Sequence, residues 1–397
     1  MKSLVSSMKK ELSLLKPSDI RTFDEFASKI PGIIKFTMGE PDFATPEHIK
    51  AAGIKSIQEN QTHYAPSNGT VALRQAAASF LQQKYAQQYD PMNEVIVTNG
   101  ATEAIYTALT SILNPGDQVI IPTPIFPLYI AITLLNQATP PILVDTSKNG
   151  FRMSPEMLQE QLDKHENVKA VVLNYPSNPT GGVTYSQTDL DQLAAVIKGK
   201  QIFAICDEIY SELNYDAPHA SLTKSLREQT ILLNGVSKSH AMTGWRIGIM
   251  CAPRAIAQEL SKVHQFTITT TSTMTQAAAT EAFANGINDS DAMKKEYRKR
   301  RDYLFEKMTS YGFECAKPEG GAFYLFAKIP QGLIQDDQKF IYDLAEKAKV
   351  ALIGGSSFGP GGEGYVRISY AASMEDIITA MERVGSYVKE NKGAKSR

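Results

Sequence analysis

A chain of 397 residues, 43% hydrophobic and 21% charged, has the composition of an ordinary globular protein with room for two cores. Its formal net charge of −1 leaves no basic field to draw nucleic acid or an anionic membrane surface, so neither is expected as a partner. Three unclustered cysteines (Cys206, Cys251, Cys315) offer no disulfide framework, and six scattered histidines lack metal-ligand spacing, so no metal site is expected.

The N-terminal "MKSLVSSMKKELSLLK" intersperses lysines with single apolar residues and has no continuous apolar stretch of the kind a signal peptide needs. A cytoplasmic location is expected. From about residue 50 to 290 helical patterns alternate with six short apolar runs: "EVIVTNG", "QVIIPTP", "KAVVLNYP", "QIFAICDE", "TILLNG" and "RIGIMCAP". A charge-free stretch from Gln118 to Val144 is long enough to suggest a membrane span. Pro122, Pro124, Pro127, Pro140 and Pro141 break it, so it reads as strand, loop, helix, strand. Continuous apolar strands between helices predict an α/β fold with a mainly parallel sheet covered on both faces. That large domain is expected to span 50–290. The charged pattern "DAMKKEYRKRRDYLFEKMTSYG" then predicts an amphipathic helix. With "GGAFYLFAKI", "VALIGG" and "GYVRISYA" it predicts a smaller α+β domain made of 1–49 and 291–397, and "KENKGAKSR" reads as a loose tail.

Ligands of open α/β sheets gather at the carboxyl ends of the strands. Here those ends carry "VTNGAT", "LNYPSNPTG", "CDEIY" and "NGVSK", which should bring Asn178, Asp207, Tyr210, Ser237 and Lys238 to one cleft. A lysine at a strand end is otherwise a solvated residue; the alternative is an amine whose pKa is lowered by desolvation and nearby cations, leaving it nucleophilic. Ser237 and Arg246 suit a phosphate, as do the helix N-terminal amides after "VTNG". Asp207 can cap the next helix, or can keep a heterocyclic ring nitrogen protonated. Tyr210 and Asn178 can bond a phenolate. An imine-forming lysine, a phosphate site, a pyridinium partner and a phenolate site together describe pyridoxal 5′-phosphate.

The motifs "TMGEPDFATP", "HYAPSNGTVALR", "NYPSNPTG", "DEIYSEL", "SKSHAMTGWRIG", "GGAFYLF" and "GYVRISYA" resemble, in order, those of class I pyridoxal-phosphate aminotransferases of fold type I, from about Phe36 to Tyr370. The resemblance implies a ping-pong Schiff-base mechanism in which Lys238 binds the cofactor aldehyde and shuttles the substrate proton. Asp207 would hold the ring nitrogen protonated, Asn178 and Tyr210 would bind the ring oxygen, and Phe126 would stack on the ring. Phe126 as an ordinary core residue is the alternative. Ser237, Arg246 and the Ala101 and Thr102 amides would hold the phosphate, with Tyr64 reaching it from the second subunit of a homodimer. Arg367 would clamp the substrate α-carboxylate, helped by Asn178, and Gly39 would let the N-terminal segment close over it. Trp245 reads as packing.

"GSSFG" at 355–359 fits a hydrolase nucleophile pattern, but turn and strand follow it and no histidine lies later in the chain, which rules against that chemistry. No nucleotide-binding glycine motif occurs. A β-eliminating lyase is the competitor within the fold. For the substrate, aspartate specialists of this subgroup tend to carry lysine where Thr102 stands, and the overall texture is similar to bacterial aromatic aminotransferases. An aromatic or broad amino donor with 2-oxoglutarate as acceptor is expected, with N-acetyl-LL-diaminopimelate as the alternative donor. "NPTGGVTY" and "PEGGAFY" each carry one glycine more than the family spacing.

Overall fold

The computed structural model describes residues 4–15, 17–136, 139–315 and 320–392, so parts of the expected loose tail ("GAKSR") and of "PEGGAFY" (Pro318 and Glu319) lie outside the described residues. The chain enters through helix α1 (Asp19–Ala27), strand β1 (Ile34–Lys35) and helices α2 (Glu47–Gln58) and α3 (Val71–Tyr85). Strand β2 (Val95–Thr98) leads directly into helix α4 (Gly100–Ile112). Strands β3 (Gln118–Thr123), β4 (Ile142–Asp145), β5 (Val168–Asn174), β6 (Phe203–Asp207), β7 (Thr230–Asn234) and β8 (Gly248–Cys251) complete a seven-stranded sheet in the order β2-β8-β7-β6-β5-β3-β4. All six apolar runs are strands, and the Gln118–Val144 stretch contains β3, a helix (Leu128–Leu135) and the start of β4. No helix among the described residues is long and apolar enough to cross a membrane.

Neighbouring strands are parallel except at β8, which runs antiparallel to both β2 and β7. Two reversals restore the direction, so β2 ends at the same edge as β5, β6 and β7. Every residue of β2, β7 and β8 is buried, because side chains alternate between two covered faces. In β6, Ile205 packs with Leu109 of α4 and Leu260, while Ala204 and Cys206 pack on the other face with Leu190 and Leu193.

Beyond the helix Ser290–Ser310 come β9 (Glu314–Cys315), β10 (Tyr324–Lys328), β11 (Val350–Ala351), β12 (Ile353–Gly354) and β13 (Tyr365–Ser369). Four of these form an antiparallel sheet in the order β12-β13-β10-β9, and β11 instead pairs in parallel with β1. Phe23 and Phe36 of the N-terminal segment sit in one core with Phe323, Ile353, Val366 and Val384. Each fully buried phenylalanine contributes roughly 1.5–3 kcal/mol of transfer free energy.

One glycine from each of the pairs in "NPTGGVTY" and "PEGGAFY" meets the other in space. Gly182 (φ +70°) accepts a hydrogen bond from the Gly321 N–H at 3.0 Å, and a Cβ on Gly182 would fall 1.6 Å from the Gly321 carbonyl oxygen. A Cβ on Gly321 would fall 2.1 Å from the Leu213 oxygen. The loop carrying Asn178 therefore lies backbone against backbone on the approach to β10. Gly32 has a similar φ of +71° with nothing within 4 Å of its would-be Cβ, which separates backbone strain from collision. Gly32→Ala is expected to cost about 1–2 kcal/mol, and Gly182→Ala at least about 2 kcal/mol more. Urea unfolding of the two variants checks the difference; equal costs would show that the contact is dispensable.

Candidate active site

At the carboxyl edge of the large sheet lies a cavity of about 550 Å³, within the range of about 300–1,000 Å³ typical of small-molecule sites. Apart from Tyr64, every residue expected at the site lines it. Tyr64 is 87% exposed and stands outside its own chain's cavity.

Asp207 closes β6 and is 4% exposed. One carboxylate oxygen accepts the Tyr129 hydroxyl at 2.6 Å and the other accepts the Ile209 N–H at 3.1 Å. Burial pushes its carboxyl pKa up, opposed by the Tyr129 hydrogen bond and by the Lys238 charge. Only a cation at this point would fully compensate a carboxylate so placed.

Lys238 follows β7 and donates from Nζ to the Gly39 carbonyl at 2.5 Å, with the rings of Tyr210 and Phe323 at 5.8 and 6.0 Å. Burial lowers its amine from 10.5 to about 8; Glu40 and Asp207 oppose that shift, and Arg246 and Arg367 reinforce it. The amine is thus accessible as a neutral nucleophile near neutral pH. Gly39 approaches closely because it has no side chain: a Cβ there would fall 2.4 Å from the Tyr324 hydroxyl.

Arg246 adopts a left-handed backbone (φ +54°) and donates from Nη1 to the Thr243 carbonyl at 3.0 Å. A Cβ on Gly100 would fall 2.6 Å from its Nη2, so the absence of a side chain at the start of α4 lets the guanidinium lie against that helix terminus. Ser237, Ala101 and Thr102 line the same end of the cavity. A guanidinium, an alcohol and first-turn amides together form a site for a multiply charged anion.

Arg367 projects from β13 and is 3% exposed. Nη1 donates to Asn178 Oδ1 at 2.9 Å and Nη2 to the Thr37 carbonyl at 2.5 Å, while buried Nε has no partner among the described residues. The Tyr324 and Phe358 rings lie 4.6 and 4.9 Å from the guanidinium. Among the described residues no carboxylate pairs with it, and burial lowers its pKa. A carboxylate ligand would supply the missing charge and the missing acceptor.

The Tyr210 hydroxyl shares a hydrogen bond of 2.8 Å with the Tyr324 hydroxyl, and burial raises the Tyr210 phenol well above its usual range. Phe126 is 38% exposed on the cavity wall, so it is not an ordinary core residue. Trp245 packs against Gly53 and donates to the Thr45 hydroxyl at 3.1 Å, the packing role expected of it. "GSSF" forms a short helical turn ahead of further turn and β13, and Phe358 within it packs on Arg367, so the hydrolase geometry is absent there. Sequence reasoning missed Tyr129, Tyr324 and Thr37. Tyr324 and Thr37 lay within the motifs "GGAFYLF" and "TMGEPDFATP" and were recoverable as neighbours of the site; a lone hydroxyl in "FPLYI" gave no signal.

Residues 31–384 match the family model described as aminotransferase class I and II. The probable N-acetyl-LL-diaminopimelate aminotransferase of Bacillus subtilis is 44% identical over 395 residues, covering 99% of this chain and 98% of that protein. An aspartate aminotransferase of Pyrococcus horikoshii is 39% identical, covering 94% of each. The crystal structure of an aromatic aminotransferase from Pyrococcus horikoshii superposes with a TM-score of 0.86 at 34% identity, covering 94% of this chain and 99% of that one.

The lowered Lys238 pKa is directly measurable. In the cofactor-free protein, trapping of a simple aldehyde on Lys238 by borohydride is expected to rise with pH through a midpoint near 8 as the ammonium loses its proton. A midpoint at the ordinary 10.5 would refute the desolvated amine.

Proposed function

This chain belongs to the class I and II aminotransferase family and is an aminotransferase; from the geometry of its site we propose that it binds pyridoxal 5′-phosphate and moves the amino group of an L-amino acid to 2-oxoglutarate. The observation that carries this reading is the meeting of Lys238 and Asp207 in one cavity, with burial making the amine less basic and the carboxyl less acidic. The residues present fit the cofactor. Arg246, Ser237 and the α4 terminus would hold its phosphate, and Gly100 leaves the space that this cradle needs. Asp207 would face the ring nitrogen, Tyr210 and Asn178 the ring oxygen, and Phe126 the ring itself. When bound, pyridoxal phosphate supplies an aldehyde that condenses with amines and a protonated ring that withdraws electrons.

The protein's own contribution is binding, charge and proton transfer. Arg367 grips the substrate α-carboxylate with Asn178 held against it, which fixes where Cα sits. The neutral Nζ of Lys238 then takes the proton from Cα, a task for which an amine near pKa 8 is suited. Gly39 and its neighbours cover the site and exclude water. Tyr64 completes the phosphate site of a second subunit, so the working unit is a homodimer with shared sites; its exposed ring supports this. Residues 50–290 form the cofactor-binding domain and 1–49 with 291–397 the smaller one, and the setting is the cytoplasm.

Among donors, an aromatic or broad range of side chains is favoured, supported by Thr102 at the position where aspartate specialists tend to have lysine. A second reading, N-acetyl-LL-diaminopimelate as donor, is supported by the Bacillus subtilis relative. Initial rates with phenylalanine, tyrosine, aspartate and N-acetyl-LL-diaminopimelate against 2-oxoglutarate decide between them. A β-lyase would instead release ammonia.

Lys238→Ala is expected to lose more than about 10³-fold in turnover, along with the borohydride-reducible yellow colour, while circular dichroism stays unchanged. Full activity would refute the role. Arg367→Ala should lower kcat/KM for every donor alike by about 10- to 100-fold, from the loss of roughly 1.5–3 kcal/mol. A loss confined to one side-chain class would assign this arginine elsewhere.

A further inference from the structure

Behind the cavity a buried chain of hydrogen bonds runs from the start of α4 to the loop that carries Tyr64. Its centre is His264, which lies on the helix Arg254–Ile268 and is 0% exposed. Nδ1 lies 3.1 Å from Glu103 Oε1, and Nε2 lies 2.8 Å from the Ser67 carbonyl oxygen. Glu103 is buried in the first turn of α4. Its Oε2 accepts the Asn99 N–H at 3.1 Å, and Oε1 also accepts the Thr107 hydroxyl at 2.5 Å. Asn99 directly precedes Gly100, Ala101 and Thr102, the turn that would hold the phosphate.

A carbonyl can only accept a hydrogen bond, and an ionised carboxylate likewise. The ring therefore donates from both nitrogens, as only an imidazolium can. Burial alone would lower its pKa, but the Glu103 hydrogen bond and charge, with the Ser67 carbonyl, raise it above 6.5. Both bonds are thus charge-assisted, the stronger kind.

At the far end of the chain, three successive carbonyls are taken by three separate groups. Ser67 accepts from His264, Asn68 from the Val97 N–H of β2 at 3.1 Å, and Gly69 from Arg74 Nε at 3.1 Å. Gly69 has φ +95°, and a Cβ there would fall 2.3 Å from Val97 Cγ2, so a glycine lets the loop lie directly on β2. The exposed Tyr64 projects from this fixed base, three residues before Ser67.

We infer that His264 is a positioning residue for the cofactor phosphate, setting the loop that offers Tyr64 to a partner's site in register with the α4 turn of its own. Each phosphate then meets one α4 turn and one tyrosine loop whose places this ring fixes. The inference rests on the pyridoxal-phosphate and homodimer readings above.

The test measures binding, not turnover. The cofactor-free full-length protein is dialysed to equilibrium against pyridoxal 5′-phosphate and against pyridoxal, which lacks the phosphate. His264→Gln can donate on one side only; Glu103→Ala cuts the tie at its other end and serves if the first variant fails to fold. In either, Kd for pyridoxal phosphate is expected to rise at least fivefold, while that for pyridoxal shifts less than twofold. Glu103→Gln can donate its amide to a neutral ring, which keeps both bonds, so its Kd should stay within twofold of wild type. Tyr64→Phe should cost at least fivefold in wild type but less than twofold more in Glu103→Ala. Equal changes for the two ligands, no change, a Glu103→Gln loss matching that of Glu103→Ala, or an undiminished Tyr64→Phe cost would each overturn the inference alone. A Tyr64→Phe variant with wild-type affinity would overturn the shared-site reading with it. Wild-type protein that binds pyridoxal phosphate no better than pyridoxal would overturn the cofactor reading as well.

Discussion

Burial acts in opposite senses on two side chains at the ends of neighbouring strands, and the rest of the site is arranged around that tension. Removing water makes the Asp207 carboxyl harder to ionise and the Lys238 ammonium easier to deprotonate. Neither state is comfortable alone. A ligand bringing a ring cation to the carboxylate and an electrophilic carbon to the amine relieves both at once. The large sheet makes the pairing possible: β6 and β7 run in parallel register, with Asp207 opposite Leu233, so residues distant in sequence emerge at one edge.

Charge is then distributed over three separate cations. Arg246 at the α4 terminus, Arg367 within the antiparallel sheet and Arg21 on α1 come from different parts of the fold, yet they border one space. Thr37 links Arg367 to α1, its carbonyl accepting from the guanidinium and its hydroxyl donating to Asp24.

How much of this was legible in the sequence follows from the physics of each signal. Parallel strands buried on both faces leave continuous apolar runs, and residues such as Asp207 and Lys238 stand out because polar groups at those ends are costly without a purpose. The reversed direction of β8 left no trace, since an apolar run reads alike in either sense. Tyr129 was invisible because its hydroxyl finds Asp207 only after a helix and a strand from distant positions pack together. Arg21 lies in a helix whose pattern reports burial of Phe23 and Ala27 but not which polar residue turns toward a cleft. The expectation for the N-terminal segment was membership of the smaller domain; its parallel pairing with β11 was not foreseen, since a two-residue strand leaves no periodic pattern.

The seam between Gly182 and Gly321 has a consequence of its own. Peptide planes meet there without intervening side chains, so no rotamer can relax and no residue choice can widen or narrow the joint. Asn178 lies on one bank and Tyr324 just beyond the other, which leaves their spacing beyond the reach of gradual tuning. Any side chain placed at this seam would have to displace main chain, so the wall between Asn178 and Tyr324 is held by peptide groups and not by side-chain packing.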